Sequence, residues 1–241
     1  MPASWRTWPG SPRGPDKASG LRPKAALKFV PGLGDKRMYD FKDPAGRTRL
    51  AVICVAIYMV SDALYGLTLL YDFATSPGPL DPYAVRPSDF VAIAMLVMMI
   101  VCVVVVGMWI YRASANAHAL SDDMTITPGW AVGWYFVPII NWVRPYQAMR
   151  EIWLASHFRG NWHGEPAPAI LGWWWGLWIV TNILANISFR LSLEGGASPD
   201  LVTWLDIAGS ALSVPLSLVL IAIMRRTAHA QDGARHEETF A

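Results

Sequence analysis

Four apolar runs constrain this chain more than any other feature. They are "LAVICVAIYMVSDALYGLTLLY" (Leu50 to Tyr71), "FVAIAMLVMMIVCVVVVGMWIY" (Phe90 to Tyr111), "AILGWWWGLWIVTNILANISF" (Ala169 to Phe189) and "LVTWLDIAGSALSVPLSLVLIAIM" (Leu201 to Met224). A helix needs about twenty apolar residues to cross a bilayer core about 30 Å thick. Lipid offers the backbone no hydrogen bonds, so runs of this length read as helices. The sequence therefore predicts an all-α integral membrane protein with four transmembrane helices. A composition of 54% hydrophobic and 16% charged residues agrees. Ser88-Asp89 and Ser198-Pro199-Asp200 are start signals for the second and fourth helices, and Pro215 predicts a kink in the fourth.

Between the second and third runs lies "TPGWAVGWYFVPIINWVRPYQAMREIW", from Thr127 to Trp153. Its uninterrupted apolar part, Trp130 to Val143, holds Pro138 and is too short to cross. It reads as a re-entrant or interfacial segment over residues 128–158. Trp130, Trp134, Tyr135 and Trp142 sit at headgroup depth in this reading. The break at "VPIIN" is expected to be covered by the spans or by a water-filled hollow, with Asn141 satisfying freed backbone groups. From Pro145 onward, Met149, Ile152, Trp153 and Phe158 trace one face of an amphipathic helix expected to lie on the surface.

Positive charge sets the orientation, because Lys and Arg resist translocation. Eleven of the twenty Lys and Arg residues precede Leu50. Arg112, Arg144, Arg150 and Arg159 lie in the middle segment and Arg225 and Arg226 follow the fourth run, whereas the two remaining connectors carry only Arg86 and Arg190. Both termini are therefore expected in the cytoplasm, with residues 1–46 a basic, Pro/Gly-rich, largely disordered tail, 47–226 the membrane domain, and 227–241 a C-terminal tail. The basic tail suits a topology-setting role, with anionic lipid contact as the alternative.

Arg112 and Asn116 in "YRASANAHAL", followed by "TPGWAVGWYFVPIINWVRPYQAMREIWLAS", resemble the signature of a bacterial membrane-protein family described as domain of unknown function 4328. The residues carrying the likeness are Arg112, Asn116, Pro128, Trp130, Pro138, Asn141 and Pro145. The likeness covers roughly Leu50 to Arg226 in layout and is specific over Tyr111 to Ser156. It implies a multi-pass protein of the bacterial inner membrane and assigns no activity.

Several chemistries lack their residues. No histidine or lysine falls inside a span, which removes paired haem ligands and a retinal-type Schiff base. "PGLGDKR" is not a phosphate loop, and neither H-E-x-x-H nor G-x-S-x-G occurs. No catalytic residue and no cofactor are assigned. Met95, Met98, Met99 and Cys102 put soft sulfur on about one helix face, a pattern that suits Cu(I), but methionine also fills apolar gaps and packing is the reading adopted. His118 with Asp122 and Asp123 reads as a solvated helix end, and Cys54 and Cys102 read as small buried hydrophobes. The Gly-x-x-x-Gly matches at Gly129–Gly133 and Gly172–Gly176 suggest helix contacts within or between chains.

Carboxylates in lipid cost at least a few kcal/mol and usually have a reason. At about 1.5 Å per residue, Asp62, Asn182 and Asp206 fall at one level, roughly 20 Å from the inner face. Either they are structural, with Asp62 bonded to Asn182 and Asp206 reaching the surface or Arg190, or they form a site for a proton, cation or small polar ligand. The expectation is a non-catalytic inner-membrane subunit or scaffold that contacts lipid and other membrane proteins or itself, with no nucleic-acid partner. The alternative is a small transporter, channel or sensor using the acidic level.

Overall fold

The computed structural model describes residues 39–75, 87–158, 162–194 and 198–240, all within one compact unit, Arg37–Ala241. Most of the basic tail, Arg86 and Arg159 lie outside the described residues. The described chain is all helical. Its elements are α1 (Ala45–Thr75), α2 (Pro87–Leu120), α3 (Pro128–Gly133), 3-10 turns at Trp134–Phe136 and Ile140–Trp142, α4 (Arg144–His157), α5 (Ala169–Glu194) and α6 (Pro199–Phe240). Of these, α1, α2, α5 and α6 are long and apolar enough to cross a membrane.

The four long helices form a row, α2 beside α1, α1 beside α6, and α6 beside α5. Side-chain pairs give their directions. Trp109 near the end of α2 reaches Thr48 at the start of α1, and Phe73 late in α1 meets Trp204 early in α6. Ser188 late in α5 meets Asp206 early in α6. Neighbours in the row therefore run antiparallel.

Two helices outrun the apolar stretches that nucleate them. α2 continues past Tyr111 to Leu120, and α6 continues past Met224 to Phe240, so residues 227–240 are helix rather than a separate tail. At about 1.5 Å per residue, 34 and 42 residues give roughly 51 and 63 Å, well beyond a 30 Å core. The surplus from both helices, the start of α1 and all of α4 build a lobe at one end of the row. Its core includes Ala117, Ile126, Met149, Ile152, Leu154, Leu171, Ile223 and Met224. Where water borders this lobe, burying each large side chain contributes about 1.5–3 kcal/mol. Between helices bathed in lipid that drive is missing, and close packing with hydrogen bonds takes its place.

The helix α4 is built into this lobe, which corrects the expectation that it lies on the surface. Met149, Ile152 and Trp153 are buried as their spacing requires, and so are Ala148, Leu154, Ala155 and Ser156. The reason is that α2, α5 and α6 all pack on it. Phe158 departs from the expected face, since α4 ends at His157 and the chain turns extended there, leaving it exposed.

The segment before α4 runs alongside the spans and does not cross. Val132 packs on Gly107 of α2, and the Tyr135 ring stands edge-on to Trp178 of α5 with centroids 6.3 Å apart. Both partners lie between one and three helical turns inside their apolar runs. The helical path ends at Phe136, and Val137, the residue before Pro138, is extended. Ile139 takes φ 67° and ψ −49°, and the Ile140 amide donates to the Pro138 carbonyl at 2.7 Å, closing a rare three-residue turn. The break is not covered as expected: Phe136 is 69% and Ile139 83% exposed. Cover is not needed for the backbone, because Val137, Asn141, Trp142 and Val143 donate to carbonyls within the same turns.

Candidate functional site

Two groups of buried polar residues stand out. The first is a seam between α1 and α6. On α6, Asp206, Ser210, Ser213 and Ser217 recur at spacings of four, three and four, which places them on one face. On α1 the facing residue is Asp62, buried, with Tyr58 and Tyr65 a turn to either side. The Ser210 hydroxyl donates to Asp62 Oδ1 at 3.3 Å. Gly66 makes this contact possible. A Cβ built there would stand 2.9 Å from Ser210 Cβ, so only glycine lets α1 approach closely enough for so short a side chain. The Ser188 hydroxyl of α5 donates to Asp206 Oδ1 at 2.5 Å.

The expected acidic level is thus divided. Asn182 does not meet Asp62; its amide donates to the Trp178 carbonyl of its own helix at 2.8 Å, and α6 stands between α1 and α5. Asp206 is held by Ser188 rather than Arg190, which is exposed. Gly66, Ser188, Ser210 and Ser213 are functional candidates that charge counting passes over, although the α6 serine spacing is visible in the sequence. Asp72 is another: it is buried and its Oδ2 has no partner.

The second group is a knot inside the lobe, centred on Asn116, which is fully buried. Its Oδ1 accepts from the Lys42 amide at 3.1 Å, and its Nδ2 donates to the Lys42 carbonyl at 2.8 Å and to Gln231 Oε1 at 3.2 Å. Gln231 Nε2 donates to the Ala113 carbonyl at 2.9 Å and to Ser156 Oγ at 3.0 Å. One asparagine and one glutamine therefore tie the segment before α1 to α2, α4 and α6. Glu151 fastens the chain before α3, accepting from the amides of Thr125 and Ile126 and from the Thr125 hydroxyl.

The other residues of the family likeness serve the same neighbourhood. Pro128 opens α3 at its first turn, and Pro145 does so for α4. Trp130 stacks on Trp134 with centroids 4.3 Å apart, and Pro138 follows the end of the helical run. Asn141 does not do what was expected of it: its backbone amide reaches Val137, but its side-chain Oδ1 is buried without a partner because the turn has already closed on its own carbonyls. Arg112 lines a narrow depression with Pro44, Arg47, Thr48, Thr227 and Gln231.

Among the described residues, no three His, Cys, Asp or Glu side chains converge as metal ligands. Met99 is exposed, and the Cys102 thiol is within hydrogen-bonding reach of Cys54 across α1 and α2. His118 Nε2 pairs with the Ile126 carbonyl at 3.0 Å, while Asp122 and Asp123 are exposed. A Cβ at Gly172 or Gly176 would meet nothing within 4 Å, so the two glycines of "GWWWG" mediate no close helix contact within the chain.

A family model described as "Domain of unknown function (DUF4328)" matches residues 83–229, more than half of the chain. The match contains Asn116, Arg112, Gly172, Asp206 and the whole of the middle segment, and it leaves α1 outside. No curated protein and no solved structure matches the chain.

Proposed function

The chain belongs to the family described as domain of unknown function (DUF4328), and from that premise we propose that it is a non-catalytic, multi-pass component of a bacterial inner membrane, with both termini cytoplasmic. It acts as a subunit or scaffold that contacts lipid and other membrane proteins or a second copy of itself. One observation carries this reading. Several polar side chains at the helix contacts are turned on one another, as in Asn116 with Gln231, Gln231 with Ser156, Asp62 with Ser210, and Asp206 with Ser188. Groups bonded in this way fix helix positions, and in lipid such bonds contribute about 0.6–2 kcal/mol each. The outward faces supply the contacts: Ile93, Leu96, Val97 and Ile100 of α2 are exposed, and Trp173 stands open beside Gly172 and Gly176.

A second reading rests on the seam itself, where two aspartates and several hydroxyls line one helix contact and Tyr65 lies within electrostatic range of both acids. Such a line suits passage or sensing of a proton or small cation. Reconstitution separates the readings. Purified protein in liposomes should give no proton or monovalent cation flux above empty vesicles, and a photo-crosslinker at Trp173 in native membranes should give a discrete protein adduct. Flux that Asp62→Asn abolishes would replace the first reading with the second.

A further inference from the structure

The depression beside Arg112 is not used by the reading above. It opens where the first turn of α1 meets α2 and α6, and its lining joins Arg47 and Thr48 of α1, Arg112 of α2, and Thr227 of α6. Thr227 is fully buried, yet its hydroxyl has no hydrogen-bond partner. Arg112 Nε is likewise buried and unpartnered. Thr48 Oγ1 already accepts from Trp109 Nε1 at 3.0 Å, so its remaining capacity includes donating its own proton. The early amides of α1 are in part already taken, that of Ala45 by Asp43 Oδ1 at 2.8 Å and that of Thr48 by the Pro44 carbonyl at 2.9 Å. A buried hydroxyl without a partner is costly, so its presence beside the unpartnered Arg112 Nε asks for a missing acceptor.

We propose that this depression is a binding site for a phosphoryl anion, with the phosphodiester of an anionic phospholipid headgroup as its ligand. Arg47 and Arg112 offer only donors and the Thr48 and Thr227 hydroxyls can each donate, which fits an acceptor-only ligand, and guanidinium geometry matches phosphate oxygens in pairs. Depth favours the lipid. Thr48 lies two residues before the apolar run of α1, Arg112 directly follows that of α2, and Thr227 sits just beyond that of α6. All three stand at the level where headgroups lie. The depression is too narrow to admit an oxygen atom, so the phosphate lies across its mouth, and exposed Arg47 closes over it.

The test uses the full chain, delipidated in detergent, with native mass spectrometry and thermal unfolding as readouts. Phosphatidylglycerol is titrated against phosphatidylcholine, with inorganic phosphate as a third arm. The expected result is one retained phosphatidylglycerol, a raised melting midpoint, and roughly tenfold weaker retention in Arg112→Gln and in Arg47→Gln, since each removes a charge-assisted bond. Arg49→Gln, exposed on the same turn but outside the lining, should bind as the wild type does. Arg47→Gln keeps the test decisive if Arg112→Gln fails to fold. Equal retention of the two lipids, or retention unchanged in Arg47→Gln, overturns the proposal. Stabilisation by inorganic phosphate, lost in Arg47→Gln and with no preference for the lipid, keeps the anion site and assigns it to a soluble phosphate.

Discussion

Two asparagines in this chain look alike as letters and differ completely in what they hold. Asn116 bonds both backbone groups of Lys42 and the Gln231 side chain, while Asn182 bonds only a carbonyl one turn back on its own helix. Replacing Asn116 by alanine strands a backbone amide, a carbonyl and a buried glutamine at once, each costing about 1–3 kcal/mol when left unsatisfied. Asn116→Ala should therefore lower stability by roughly 3–5 kcal/mol or prevent folding. Asn182→Ala should cost under about 1 kcal/mol, because the Trp178 carbonyl keeps its helical partner. Denaturant titration of both variants in detergent checks the contrast, and similar losses would contradict it. Ile139 belongs at this scale too. A β-branched residue at φ 67° is strained, and the turn that holds it is closed by the Ile140 amide on the Pro138 carbonyl.

Among the elements, the contact between α1 and α6 has the least tolerance. Gly66 and Ser210 meet so closely that an added methyl group has nowhere to go, and the Asp62 bond depends on that closeness. Gly66→Ala should destabilise the protein by roughly 1–3 kcal/mol, the usual cost of overpacking. Adding Ser210→Gly should return part of the loss by removing the Cβ that clashes, although the Asp62 bond goes with it. Melting midpoints of the two single variants and the double give the coupling, and strict additivity would mean that the helices do not pack as described. Asp206→Asn should likewise couple to Ser188→Ala and not to Arg190→Gln, since only the serine reaches the carboxylate.

For the molecule as a whole, the order and direction of the spans lead to a topology that accessibility labelling can read. With Cys54 and Cys102 replaced, single cysteines at Asp122 and Asp232, both exposed at the lobe end, should be labelled from the cytoplasmic side. Cysteines at Thr75 and Asp200, exposed at the opposite end, should be labelled from outside. The charge asymmetry sets the expected sign, and the antiparallel row sets the pairing. Labelling of Asp122 from the outside would reverse the orientation, and mixed sidedness within a pair would break the four-span count.

Length and apolarity by themselves determined the four spans, because lipid accepts only a backbone whose hydrogen bonds are closed within a helix of sufficient length. They also determined that Trp130 to Val143 does not cross, since Pro138 divides a run already too short. What those letters did not contain was who faces whom. Asp62, Asn182 and Asp206 share a level by arithmetic, but a level is not a contact: the rotation of each helix and the order of the row direct Asp62 and Asp206 to serines and return Asn182 to its own helix. The lobe was hidden for a related reason. Residues 112–120 and 225–231 are too polar to register as span, and it is their packing with α4 that builds them into the lobe. Span identity is a local property of composition, whereas the knot at Asn116 and the seam at Ser210 exist only where residues 74 to 148 positions apart are brought together.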